Sequence, residues 1–160
     1  MFTGPEIAET LASVGFTHVV WVPDSAIGPW EQALESSSRL TLVRVCREGE
    51  AWAIAAGLLV GGKTPLVVMQ TTGLFESGDA LRNVLFDMEL PLLALIGARS
   101  WLVPDSTDSA RRFAEPILKA WGIEYRLIAR IDDKPLLAEF FVERLKSGTG
   151  GAVLLAEGPP

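Results

Sequence analysis

With 160 residues, 49% of them hydrophobic, the chain is long enough to bury the core of one ordinary domain. Its net charge of −6, with fourteen Lys and Arg scattered along the chain, offers no cationic stripe to track phosphates, so nucleic acid is not an expected ligand. One cysteine, Cys46, and one histidine, His18, cannot make an internal disulfide, a zinc site or an iron–sulfur cluster, so no metal is expected on this chain and a reducing, cytoplasmic setting fits best.

The start, Met1-Phe2-Thr3-Gly4-Pro5-Glu6, lacks the basic and apolar regions of a signal peptide. Pro5 at a helix start, the apolar positions Ile7, Leu11 and Val14, and Gly15 beyond them predict the first helix. His18 to Val22 reads as a strand stopped by Pro23-Asp24-Ser25, followed by a helix over Ile27 to Ser37 and a β-branched strand over Thr41 to Val45. A helix from Glu48 ends at Gly61-Gly62, and its apolar stretch, Ala51 to Val60, is too short to span a bilayer. Leu66 to Gln70 is the third strand, and the polar turn Thr71-Thr72-Gly73 leads to a helix from about Ser77 to Met88. Pro91 to Ile96 is apolar at nearly every position, as suits a strand covered on both faces. Leu102 to Ser109 reads as a mobile loop over the site, Ala110 to Trp121 as helix, Tyr125 to Ile128 as strand, Pro135 to Lys146 as helix and Gly151 to Leu155 as the sixth strand.

Strands alternating with helices predict an α/β fold in a single domain, a doubly wound, mostly parallel six-stranded sheet with helices on both faces and right-handed crossovers. Ligands of such sheets sit outside the carboxyl ends of the strands. Four loops lie there: Pro23-Asp24-Ser25, Arg47-Glu48, Thr71-Thr72-Gly73 and Gly97-Ala98-Arg99-Ser100.

Glu48 stands out among these residues. Ala51, Ile54, Ala55, Leu58 and Leu59 recur at helical spacing, and advancing ~100° per residue places Glu48 within about 50° of the centre of that stripe and Glu50 more than about 100° away. Glu48 is therefore expected to face inward, where a charge needs a partner. Its position also admits a simpler role, as an acid favoured by a helix N-terminus.

Four segments in order carry a family resemblance: Val22-Pro23-Asp24-Ser25, the nine-residue step from Glu48 to Gly57 through Ala55-Ala56, Met69-Gln70-Thr71-Thr72-Gly73-Leu74, and Pro91 to Gly97. Together they resemble the pyrimidine-binding (Pyr) domain of thiamine-diphosphate enzymes, and most the α subunit of sulfopyruvate decarboxylase and the matching half of phosphonopyruvate decarboxylase. The resemblance implies that Glu48 is catalytic and hydrogen-bonds the ring nitrogen of the cofactor's aminopyrimidine, generating the nucleophile that attacks a 2-oxo acid, with loss of carbon dioxide and release of an aldehyde. It implies a cofactor-binding set of Pro23, Glu48, Thr72, Gly73 and Leu74, and a substrate side made of Asp24, Ser25, Gln70 and Thr71, with Arg99 or Arg47 as candidates for holding an anionic tail.

The resemblance also implies what lies elsewhere. The family's diphosphate and Mg2+ are held by a second, PP-type domain with a Gly-Asp-Gly motif, and in Ser77-Gly78-Asp79-Ala80 the second glycine is replaced by Ala80, so Asp79 is read as a helix acid and not a metal ligand. A PP-domain β subunit is the expected partner, in an α2β2 unit or a multiple, and the high mean hydropathy of +0.30 fits a covered apolar surface. Thr71, Phe75-Glu76 and Pro104-Asp105-Ser106 depart from the family's Asn, Gly-Asn and Pro-Gln-His, leaving the substrate pocket open. His18 and Cys46 are expected to be packed, Cys46 as a small core residue, and Trp30, Trp52, Trp101 and Trp121 to serve core or interface. Carboligation or acyl transfer by the same cofactor, and a non-catalytic or regulatory Pyr-like subunit, are the competing readings.

Overall fold

The computed structural model describes residues 1–24 and 27–158. Thr3 opens α1 (Gly4–Val14) with a reciprocal cap, accepting from the Glu6 N–H while the Glu6 carboxylate accepts from the Thr3 N–H at 2.8 Å, and Gly15 closes the helix at φ 108, where a side chain is strained. β1 (His18–Trp21) follows, then a 3-10 turn (Gly28–Trp30) running into the short α2 (Glu31–Glu35), β2 (Thr41–Arg44) and α3 (Glu48–Val60). β3 (Pro65–Gln70) passes directly into α4 (Thr71–Glu76), α5 (Gly78–Arg82) and a π-helical turn (Asn83–Asp87). β4 (Leu93–Ala98), α6 (Ser109–Ala120), β5 (Tyr125–Ile128), α7 (Lys134–Ser147) and β6 (Gly151–Ala156) complete the order.

All six strands are parallel, in the order β2-β1-β3-β4-β6-β5. The doubly wound α/β expectation therefore holds, and the pairing is wholly parallel. Alternation along each strand divides the core in two. Val19, Trp21, Leu66, Val68, Leu93, Leu95, Val153 and Leu155 meet α1, α2 and α7 on one face, while Val20, Val67, Met69, Ala94, Ile96, Ala152 and Leu154 meet α3 to α6 on the other. The central strands β3, β4 and β6 are covered on both faces, which is why they read as continuous apolar runs.

Several boundaries differ from the sequence reading for identifiable reasons. Thr71-Thr72-Gly73, expected as a turn, is the first turn of α4, because the Thr71 hydroxyl donates to the Gly97 carbonyl at 2.8 Å and fixes the chain as it leaves β3. The helix breaks instead at Ser77, whose hydroxyl donates back to the Gly73 carbonyl at 2.7 Å and accepts from Trp52 Nε1 at 3.0 Å, a local bond that competes with a straight helix. β4 runs two residues further than expected, so Gly97 and Ala98 are strand residues paired with Gln70 and Ala156. Cys46, expected in the core, is exposed where β2 turns into α3. His18 sits at the amino end of β1, its Nδ1 2.8 Å from the Thr17 hydroxyl, far from the carboxyl edge.

The helix α3 buries Ala51, Trp52, Ala55 and Ala56, and Ile54 is 39% exposed. Apolar surface thus remains along its outer side, where Ile54, Val60, Phe86 and Met88 are exposed beside a groove of about 480 Å³ lined by Ala53, Gly57, Val60, Ala80, Val84 and Met88. No helix among the described residues is long and apolar enough to cross a membrane. Because Leu95 is buried between sheet and helices, Leu95→Ala is expected to cost about 2–5 kcal/mol in urea denaturation of the chain, whereas Ile54→Ala should stay within about 0.5 kcal/mol. Equal costs would contradict these faces.

Candidate active site at the carboxyl edge of the sheet

The order of the sheet places a switch point between β1 and β3: the chain leaves β1 toward β2 on one side and leaves β3 toward β4 on the other. A crevice opens at such a point, outside the carboxyl ends of the strands. Asp24 arrives there from β1, Glu48 from the β2–α3 junction, Gln70 to Leu74 from β3, and Arg99 from β4.

Glu48 is half-buried. Taking Ala51, Trp52, Ala55 and Ala56 as the buried face, a step of ~100° per residue sets Glu48 about 10° from its centre, closer than the sequence stripe implied, and puts the exposed Ile54 about 130° away. The side chain lies across Gly73. A Cβ on Gly73 would stand 2.5 Å from Glu48 Oε1 and 2.8 Å from its Cδ, so glycine is required there for the carboxyl group to lie down.

The neighbouring groups are all engaged. Glu50, not Glu48, caps the helix: its Oε2 accepts from the backbone N–H groups of Cys46 at 3.1 Å and Arg47 at 3.3 Å. Glu76, at the end of α4, accepts from Arg47 Nη2 at 2.6 Å and Nε at 3.1 Å, and from the Gly49 N–H at 3.2 Å, tying the first turn of α3 to α4. The Arg47 guanidinium holds the Glu76 carboxyl below the usual carboxylate range. Among the described residues no hydrogen-bond donor meets the Glu48 carboxylate. The hydrogen bonds of the helix end are thus made by Glu50, and Glu48, also in the first turn of α3, keeps its acceptor capacity at the carboxyl edge of the sheet.

The other expected residues fall into two groups. Pro23 and Thr72 are exposed at the edge, and Gln70 is part-exposed with its Oε1 accepting from the Thr72 hydroxyl at 3.2 Å. Asp24 is part-buried, its Oδ1 accepting from the Ile27 N–H at 3.0 Å. Thr71, expected on the substrate side, is fully buried with its hydroxyl committed to Gly97. Leu74 is buried in the core between the sheet and α3. Ser25 lies outside the described residues. Arg47 is held by Glu76, and Arg99 is held by Asp108, with Nε 3.0 Å from Oδ2. Asp108 in turn caps α6 through the Ala110 N–H and accepts from the Ser100 hydroxyl at 2.9 Å, contacts that lower its pKa. The segment 102–108 is pinned by these bonds, by Arg111 donating to the Val103 carbonyl at 2.6 Å and by the Leu102 N–H donating to the Glu157 carbonyl at 2.9 Å.

One group at this edge escaped the sequence reading. Glu157, the first residue after β6, folds over Gly97, where a Cβ would lie 2.8 Å from its Cδ. Its Oε1 is sealed from solvent and has no hydrogen-bond partner among the described residues. Burial, then the Asp24 charge, push its pKa up to about 7, against the opposing pull of Arg99. The available signal was its position: an acid directly after an apolar strand, at the carboxyl end where ligands bind.

The family described as thiamine pyrophosphate enzyme, N-terminal TPP binding domain, matches residues 1–101. The chain belongs to this family. Its sequence is 28% identical over 95 residues, 59% of the chain, to phosphonopyruvate decarboxylases from Streptomyces viridochromogenes and Streptomyces hygroscopicus, and it covers 24% of each of them. The crystal structure of benzoylformate decarboxylase from Polynucleobacter necessarius superposes with a TM-score of 0.76 at 22% identity, over 98% of this chain and 30% of that one, a likeness of fold. The chain thus spans about a quarter of the length of the curated relatives it matches.

The raised pKa of Glu157 fixes a pH dependence of stability. The unfolded chain ionises this carboxyl at its ordinary value of 4.5 and the folded chain only near 7, so its contribution to stability is full below about 4.5 and is lost as pH rises toward 7. Glu157→Gln removes that loss: its melting temperature should exceed the wild type's at about pH 8 and converge with it at about pH 4. A constant gap across pH would contradict the assignment.

Proposed function

We propose that the chain is the pyrimidine-binding α subunit of a two-subunit thiamine-diphosphate decarboxylase of a small anionic 2-oxo acid, of the sulfopyruvate or phosphonopyruvate type, releasing carbon dioxide and an aldehyde. The observation that carries this reading is Glu48: a half-buried carboxyl, laid on Gly73 and left without a donor while Glu50 and Glu76 take up the helix-end groups beside it.

This arrangement fits an aminopyrimidine ring. Glu48 would share a proton with a ring nitrogen, donating as the acid and accepting from the ring once that nitrogen is protonated; Gly73 supplies the space that lets the carboxyl lie flat, and Thr72 and Gln70 stand at the same carboxyl edge. When bound, thiamine diphosphate supplies the carbon nucleophile and the electron sink on which decarboxylation of a 2-oxo acid depends. Pro23 stands beside the ring, and Leu74, on the buried side of α4, backs the wall. The similarity to phosphonopyruvate decarboxylases supports the substrate class.

The second half of the site belongs, on this reading, to a PP-domain β subunit that carries the diphosphate and Mg2+, in an α2β2 unit or a multiple of it. The apolar outer side of α3, with Ile54 and Val60 exposed on the helix that presents Glu48, supports a covering subunit.

The test is carbon dioxide release from sulfopyruvate or phosphonopyruvate. The chain alone should release none; with its co-purified partner, thiamine diphosphate and Mg2+ it should turn over, and Glu48→Gln should lower kcat by about 10²–10⁴. Gly73→Ala, whose new methyl displaces the Glu48 side chain, should lose activity similarly while the Leu95 core stays intact. Turnover by the isolated chain, or full activity of Glu48→Gln, would overturn the reading.

A further inference from the structure

Glu157 stands at the carboxyl edge in surroundings that favour its neutral form. Its Oε1 is enclosed without a donor, a position tolerable for the carbonyl oxygen of an acid and costly for a carboxylate. A proton on this carboxyl removes that cost. Three charged groups face or bracket it: Asp24 from the loop after β1, which opposes a second negative charge, Arg99 from the loop after β4, which favours one, and Asp108 before α6, which claims Arg99 at 3.0 Å and weakens that effect. No other residue is placed to donate a hydrogen bond to Oε1 among the described residues. The absence of a side chain on Gly97 is what admits the carboxyl to this place, as Gly73 admits Glu48 one strand away. Two carboxyl groups at the carboxyl edge of the sheet are thus each bedded on a glycine, Glu48 on Gly73 of α4 and Glu157 on Gly97 of β4.

We propose that Glu157 is a specificity-determining acid of the site, which meets the anionic 2-oxo acid as a neutral hydrogen-bond donor beside Arg99 and repels it once ionised. The inference rests on the decarboxylase reading and deepens it by naming the group that recognises the substrate's oxygen atoms. Burial first, and then the charge of Asp24, favour the protonated form of Glu157, while Asp108 and Ser100 fix the direction of Arg99 and its loop. Ionisation of Glu157 would set three carboxylates, its own and those of Asp24 and Asp108, and an anionic substrate against one guanidinium, and binding weakens accordingly.

The test uses the assembled enzyme with its co-purified partner. Infrared difference spectra should show a protonated carboxyl band at about pH 6 that fades through pH 7 and is missing in Glu157→Gln. KM for the 2-oxo acid should rise roughly tenfold from about pH 6 to about pH 8 in the wild type, as expected for loss of a proton from a group near 7, with kcat changed far less. Glu157→Gln, which keeps a neutral donor, should hold KM low and flat across that range, and Glu157→Ala should hold it high and flat. An active assembly in which Glu157→Gln retains the wild-type rise in KM, or in which the carboxyl band is the same in both proteins, overturns this inference alone. An assembly that turns over no 2-oxo acid although the band titrates near 7 overturns the decarboxylase reading, and with it the substrate contact proposed for Glu157.

Discussion

The contact between the Glu48 carboxyl and Gly73 is the constraint around which the carboxyl edge is organised. A half-buried acid at the first position of α3 has to lie somewhere, and in this chain it lies on the backbone of α4, where a methyl group would already collide. That contact fixes the distance between two helices that leave different strands. Glu76 secures it from the α4 side by accepting from Gly49 and Arg47, and Ser77 secures it from below by joining Gly73 to Trp52 in the buried face of α3. The arrangement spends its donors on Glu50 and Glu76, and among the described residues none is directed at Glu48. A scaffold without chemistry has little reason to hold an acid in this way, since an apolar side chain on the same glycine would avoid the cost of desolvation.

The sheet supplies the rigidity that such a site needs. β3, β4 and β6 are buried on both faces, and their ends carry Gln70, Gly97 and Glu157 at fixed register. Thr71 contributes to this frame and not to the ligand surface, for its hydroxyl ties α4 to β4 through the Gly97 carbonyl. The apolar surface that remains is on the opposite side of α3, so one helix presents the acid on one face and an uncovered groove on another. Family membership rests on residues 1–101, whereas the likeness of fold to benzoylformate decarboxylase spans 98% of the chain, so the strand bearing Glu157 belongs to the same architecture as the matched part.

Much of this was legible in the sequence because burial and chain geometry leave strong patterns. Alternating apolar strands and helices with Gly and Pro at their ends gave the α/β class, the six strands and most helix limits, and the phase of Ala51 and Ala55 pointed Glu48 inward. The errors have local causes. Ile54 was read into the apolar stripe because its side chain is apolar, yet it belongs to the outer side of α3, and a sequence does not distinguish a face buried in the core from one left bare. Thr71-Thr72-Gly73 looked like a turn because threonine and glycine disfavour helices, and one tertiary hydrogen bond to Gly97 outweighs that preference. Cys46 looked like core on residue type alone and is exposed because β2 is an edge strand. Glu157 was invisible because its character comes from Gly97, Asp24 and Arg99, three residues brought to it only by the strand order.

The most direct test of the central claim is a crystal structure of the assembled protein with thiamine diphosphate bound. The account predicts a Glu48 carboxyl oxygen at hydrogen-bonding distance, about 2.6–3.2 Å, from a ring nitrogen of the aminopyrimidine, with Gly73 still beneath the side chain. A pyrimidine bound elsewhere, with the Glu48 carboxyl turned to bulk water, would contradict it.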